Sequence, residues 1–130
     1  MTPHARPGWP LPNVWLGVSI ESDAYTWRAK VLSEIPAAVR FVSAEPLLGP
    51  LPSLSLSGIT WLIVGGESGG PRKRYMDHAW ARELRDKAVR YGCAFFFKQS
   101  SGPRPEMGTA LQELDGSVTE WHQYPRVVTP

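Results

Sequence analysis

The stretch Trp61-Leu62-Ile63-Val64-Gly65-Gly66-Glu67-Ser68-Gly69-Gly70 decides how the rest of the chain is read. Four apolar residues run without alternation and then break into glycines around one carboxylate. An uninterrupted apolar run of strand length, bounded by glycine, is the pattern of a strand buried on both faces. Gly65 and Gly66 let another group approach the backbone closely. Glu67 stands where the strand ends, which is the end at which parallel α/β proteins bind ligands.

Working outward, three further segments read as strands. Asn13 to Ile20 is β-branched and aromatic and ends at Glu21; Val39 to Ala44 ends at Glu45, with Pro46 directly after; Cys93 to Phe97 ends at Lys98-Gln99. Between the first two, Ser22 or Asp23 can cap a helix with Ala24, Trp27, Val31 and Ile35 at helical spacing, closed by Pro36. Asp77 caps a second helix with Trp80, Ala81, Leu84, Ala88 and Tyr91 along one stripe, and Gly92 supplies its stop. Leu47 to Gly58 is apolar but broken by Pro50 and Pro52, then alternates as Ser53-Leu54-Ser55-Leu56-Ser57, which predicts a short helical turn or a packed loop. Asp115-Gly116 is a hairpin turn signal between Ala110–Leu114 and Val118–Tyr124.

The order strand-helix-strand-loop-strand-helix-strand argues for an α/β fold with a parallel sheet. The expected architecture is a partial, half β/α barrel of about four parallel strands, with helices outside and a C-terminal β-hairpin. The division is an extended lead-in over 1–12, one α/β domain over 13–125 with the hairpin in 108–125, and a tail over 126–130. Unpaired apolar sheet edges invite pairing, so self-association or a partner is expected to cover them.

Bulk composition narrows the classes. The chain has 130 residues, 42% hydrophobic and 20% charged, as in a globular protein with a real core. No apolar run reaches the length of a membrane span, and no signal-peptide core opens the chain, so a cytoplasmic location with no membrane partner is expected. The one cysteine, Cys93, excludes an internal disulfide and any cysteine-rich cluster held by this chain alone, and its buried-strand context reads as an inert thiol. The net charge of +2 does not argue for nucleic acid. His4, His78 and His122 lack metal-ligand spacing.

The chemistry lies at the strand ends. Glu21, Glu45, Glu67 and the Lys98-Gln99 pair finish the four strands, and a parallel sheet brings such ends to one edge. The ligand-binding candidates are therefore Glu21, Glu45, Gly65, Gly66, Glu67, Ser68, Lys98 and Gln99, with the glycine amides assisting. The carboxylates suit a hard cation such as magnesium by ligand type, although nothing in the spacing fixes their geometry. Lys98 reads as pairing with a neighbouring glutamate rather than as a Schiff-base nucleophile. Arg72, Lys73 and Arg74 are the candidates for phosphate or nucleic acid, against the commoner reading of a solvated basic loop. Trp15, Trp27, Trp61 and Trp80 fall at strand and helix core positions, so the tryptophans do not form a base-stacking platform.

Taken together, Asn13 to Ser19, Val39 to Pro50, Trp61 to Gly69, Phe95 to Gln99, and Leu114-Asp115-Gly116 with Trp121-His122-Gln123-Tyr124-Pro125 resemble the C-terminal half of the phage gene-product thirty-seven/sixty-eight family. That family is similar to radical S-adenosylmethionine enzymes. The resemblance implies the later strands of a radical-type barrel, in which three cysteines of the first half hold a four-iron cluster that cleaves S-adenosylmethionine. Those cysteines have no counterpart here. The resemblance therefore implies S-adenosylmethionine and an iron-sulfur cluster only if a partner supplies the missing half, either a second copy or a separate cysteine-bearing chain. Ser100-Ser101 departs from the tryptophan and glycine expected after Lys98-Gln99. Three readings follow, and they leave open whether the chain is an enzyme: a half-barrel subunit or remnant not competent alone, a nucleotide- or nucleic-acid-binding accessory protein, and a small enzyme using Glu67 and Lys98 as acid-base groups.

Overall fold

Side chains alternate across a strand, so four strands in common register present two distinct faces. The computed structural model describes residues 11, 13–69, 74–101 and 110–127. The lead-in before Leu11, Pro12, Arg72 and Lys73 of the basic loop, residues 102–109 and the last residues of the tail lie outside them. Strands β1 (Trp15–Ser19), β2 (Val39–Ala44), β3 (Trp61–Val64) and β4 (Ala94–Phe97) form one parallel sheet in the order β1-β2-β3-β4. Helices α1 (Trp27–Ser33) and α2 (His78–Tyr91) cover it, and β5 (Leu111–Gln112) pairs antiparallel with β6 (Val118–Thr119) around the Asp115-Gly116 turn. Gly116 takes φ of 87°, the left-handed conformation that the turn requires.

One face carries the core. Val42, Ala44, Leu62, Val64, Phe95 and Phe97 are buried in a single cluster with Ala29 and Leu32 of α1 and Ala81, Leu84 and Ala88 of α2. Both helices therefore lie on the same side of the sheet. A uniform strand order with every crossover on one side is the winding of a barrel rather than of a doubly wound sheet.

The connection from β2 to β3 contains no helix. Its alternation instead drives Leu54 and Leu56 into the core, with Leu47, Leu51 and Ile59, and leaves Ser53, Ser55 and Ser57 outward. The packed-loop expectation holds. Asp23 does not cap a helix but accepts hydrogen bonds from the Ser53 N–H and hydroxyl, at 2.9 and 2.8 Å. From α2, the Lys87 ammonium donates to the carbonyls of Leu51 and Leu54, at 3.1 and 2.8 Å, closing the turn between them.

The α2 boundaries follow the sequence closely: the Asp77 side chain accepts the Ala79 N–H, and Gly92 ends the helix left-handed at φ of 68°. Tyr91 departs from its predicted stripe and is exposed. The first helical segment departs further. It begins as a 3-10 turn over Asp23–Tyr25, α1 proper starts at Trp27, and its buried residues are Ala29 and Leu32. Trp27 and Val31, expected inward, point to solvent because the 3-10 turn shifts the phase of the helix by part of a turn.

Strand β3 is buried on one face only. Its second face shows Trp61 and Ile63 half-buried, beside Trp15, Phe41 and Phe96. Trp61 is the hub there, with ring centres of Trp15, Phe41, Phe96 and Tyr124 at 5.7, 5.8, 6.3 and 5.7 Å. Phe41 lies across Gly17, where an added Cβ would meet its ring at 2.2 Å. The outer edge of β4 is taken within the chain: the Phe97 N–H donates to the Trp121 carbonyl at 2.7 Å and the Gln123 N–H to the Phe95 carbonyl at 3.0 Å. The Trp61 indole N–H locks the same segment through the Gln123 carbonyl at 2.9 Å.

Replacing Lys87 by Met keeps the aliphatic stem and removes the donor that closes the helix-free crossover. Urea unfolding is expected to show a loss of about 1–3 kcal/mol, the cost of taking the ammonium from the partly buried Leu54 carbonyl, while the Leu51 carbonyl keeps the Leu54 N–H at 3.2 Å. An unchanged midpoint would mean that water serves the Leu54 carbonyl equally well.

Candidate functional site at the strand ends

The register assembles the rim. Val64 pairs with Ala44 on one side and with Phe97 on the other, so one residue further Gly65 is flanked by Glu45 and Lys98. Two inter-strand steps separate β2 from β4, about 10 Å. The Glu45 and Lys98 side chains span that gap, and Nζ of Lys98 reaches Oε1 of Glu45 at 3.2 Å. The lysine thus pairs with a glutamate, as its sequence context suggests. Gly65 leaves room for the bridge, since a Cβ there would stand 3.3 Å from the Glu45 carboxyl carbon.

Glu67 makes the second pair. Arg74 clasps it in a fork, Nε to Oε2 and Nη2 to Oε1 both at 2.9 Å, and the Arg74 backbone N–H adds a bond to Oε2 at 2.8 Å. These bonds hold the Glu67 carboxyl down at about 2, from an ordinary 4.5. The same ion pair raises the Arg74 guanidinium, and Glu21 contributes to that effect through its charge. Three strand-end carboxylates, one lysine and one arginine therefore share the rim.

The glycine amides have other work. The Gly65 N–H donates to the Ala44 carbonyl at 3.3 Å and the Gly66 N–H to the Gln99 carbonyl at 2.8 Å, so both are engaged in the sheet rather than turned to a ligand. Gly66 is a close-approach position: an added Cβ would lie 2.5 Å from the Ser101 nitrogen. Gln99 is buried, and its Nε2 donates to the Gly66 carbonyl at 3.3 Å. Ser68 follows Glu67, half-buried. Arg72 and Lys73 lie outside the described residues, and Arg74, the third basic candidate, is committed to Glu67. Among the described residues, no three His, Cys, Asp or Glu side chains are grouped to hold a metal ion.

Two contributors escaped sequence reasoning. Arg74 reads in sequence as part of a basic loop, with no signal that Glu67 is its partner. Ser101 accepts the Met76 N–H at 2.9 Å and donates to the Arg74 carbonyl at 3.1 Å, tying the entry to α2 against the strand ends. A hydroxyl at that position carries no motif.

The fold defines the class as an α/β protein built on a one-sided parallel sheet with a charged rim. A family model described as a protein of unknown function, DUF5131, matches residues 1–125, and the chain belongs to that family. This is the phage gene-product thirty-seven/sixty-eight family that the sequence motifs resemble. No curated protein and no solved structure matches the chain. No helix among the described residues is long and apolar enough to cross a membrane.

Because the folded value for Glu67 is depressed, its contribution to stability is complete above the ordinary carboxylate range and fades as pH falls through about 2. An NMR titration of the Glu67 side-chain carboxyl should show its midpoint near the lower value in the native chain and near the ordinary one in Arg74→Ala. A native midpoint at the ordinary value would contradict the clasp.

Proposed function

We propose that this chain is one half of a barrel-type assembly related to radical enzymes, not competent for catalysis alone, which brings a charged rim and an aromatic sheet face to a partner chain. The observation that carries this reading is the one-sided sheet: helices cover one face of β1-β2-β3-β4, while Trp15, Phe41, Trp61, Ile63 and Phe96 are left half-covered on the other. In a closed barrel that second face is the packed interior.

The described residues do not fit an iron-sulfur cluster. Cys93 is the sole cysteine, it is buried, and burial pushes its thiol up to about 12. It also precedes β4, about 16 Å of strand rise from the Lys98 end. A cluster, if the assembly has one, belongs to the partner. Glu67 held at about 2 is a weak general base and stays ionised near neutral pH, which counts against a self-sufficient acid-base enzyme. The commitment of Arg74 to Glu67 counts against a nucleic-acid surface.

The two sheet edges are unequal, and this bears on the partner. Closure of two copies into one barrel needs β1 of each to meet β4 of the other, and residues 121–123 hold the β4 edge. That supports a partner adding at β1, whether it is a separate chain or a second copy. The test is affinity capture of the tagged full chain from its source cells, followed by hydrogen exchange on the complex. The expected result is a stoichiometric partner carrying the cysteine triplet, whose binding slows exchange at Trp15–Ser19. A free monomer by light scattering whose β1 amides are already protected would contradict the reading.

A further inference from the structure

A groove of about 470 Å³ runs on the outer layer, beside α1, where the crossover from β2 to β3 has no helix. Its walls are Trp27, Thr26, Lys30 and Glu34 on one side and Ser53, Ser55 and Ser57 on the other. The groove is built rather than incidental in two respects. First, Leu54 and Leu56 are anchored in the core, which turns Ser55 between them and the flanking Ser53 and Ser57 to the groove side. Second, the Trp27 indole has a cationic neighbour that is itself anchored. Arg28 donates from Nη1 to the Ser19 carbonyl at 2.9 Å, and its guanidinium carbon lies 4.5 Å from the Tyr25 ring centre and 5.7 Å from that of Trp27. The indole is nevertheless 60% exposed.

We infer that this groove is a binding site for a neutral carbohydrate, with a pyranose ring laid on Trp27 and its hydroxyls met by Ser55, Ser57, Lys30 and Glu34. A pyranose has an apolar face of C–H groups, which an exposed aromatic ring with few rotatable bonds can cover at low entropic cost. Its rim of hydroxyls needs mixed donors and acceptors, and serine hydroxyls, an ammonium and a carboxylate supply both. A nucleotide would stack as well but needs its phosphate neutralised; among the described residues Lys30 is the one cation lining the groove, and Glu34 opposes an anion there. The site lies on the outer layer and is independent of the strand-end rim.

The test is a two-dimensional NMR titration of the full chain with methyl β-glucopyranoside and with cellobiose, with adenosine monophosphate as a third arm. Saturable shifts with a sugar at the Trp27 indole N–H and at the amides of Ser53, Ser55 and Ser57 are expected. Trp27→Ala removes only an exposed ring, so its thermal midpoint should match the parent while its sugar affinity falls about tenfold or more. Should Trp27→Ala lower the thermal midpoint, Ser55→Ala serves as the second variant and should weaken binding at unchanged stability. The inference is overturned if neither sugar gives saturable shifts at these positions, if the shifts persist unchanged in both variants, or if adenosine monophosphate alone saturates the groove.

Discussion

The parallel register of the four strands is the constraint on which everything else depends. Ser19 stands level with Ser43, Ser43 with Ile63 and Ile63 with Phe96, so no strand is displaced relative to its neighbours in either face or height. A slip of one residue in any strand would exchange its core and open faces, exposing Leu62 and Val64, for instance, in place of Trp61 and Ile63. The same alignment brings the strand ends to one edge. Glu45 and Lys98 meet across Gly65, where a side chain would crowd the glutamate, and Glu67, beyond that bridge, meets Arg74. Core and rim are two consequences of one register.

Much of this was legible in the chain. Apolar runs broken by glycine, proline or a charged residue marked all four sheet strands, and the Asp77 cap with the Gly92 stop bounded α2. These features are set by local chemistry and by burial, which sequence patterns report directly. Three features were not legible. The phase of α1 changed because a 3-10 turn preceded it, and a short helix with apolar residues on several sides does not declare which side is inward. The apolar run of β3 reads as buried on both faces because that pattern does not say whether one chain supplies both layers of cover. The partners of the rim charges were hidden because the clasp between Glu67 and Arg74 depends on how the intervening turn folds, and neither residue type specifies the other.

Membership of the DUF5131 family and the sheet geometry meet at one point. The described residues build a helix-covered face and a charged rim on a parallel sheet, and its aromatic face is half-buried. The chain's own C-terminal segment closes one edge of that sheet through the bond from the Trp61 indole and the pairing of residues 121–123 with β4. The result is an asymmetric unit in which one edge is closed, one face is complete and the rim is held by two ion pairs.

Hydroxyl-radical footprinting of the isolated chain tests this one-sidedness most directly. Trp15 and Tyr124, on the open face, should be oxidised readily, while Phe95 and Phe97, on the helix-covered face, should be protected. Equal protection of both sets in a chain that light scattering shows to be monomeric would contradict the account, because the sheet would then already be covered on both faces.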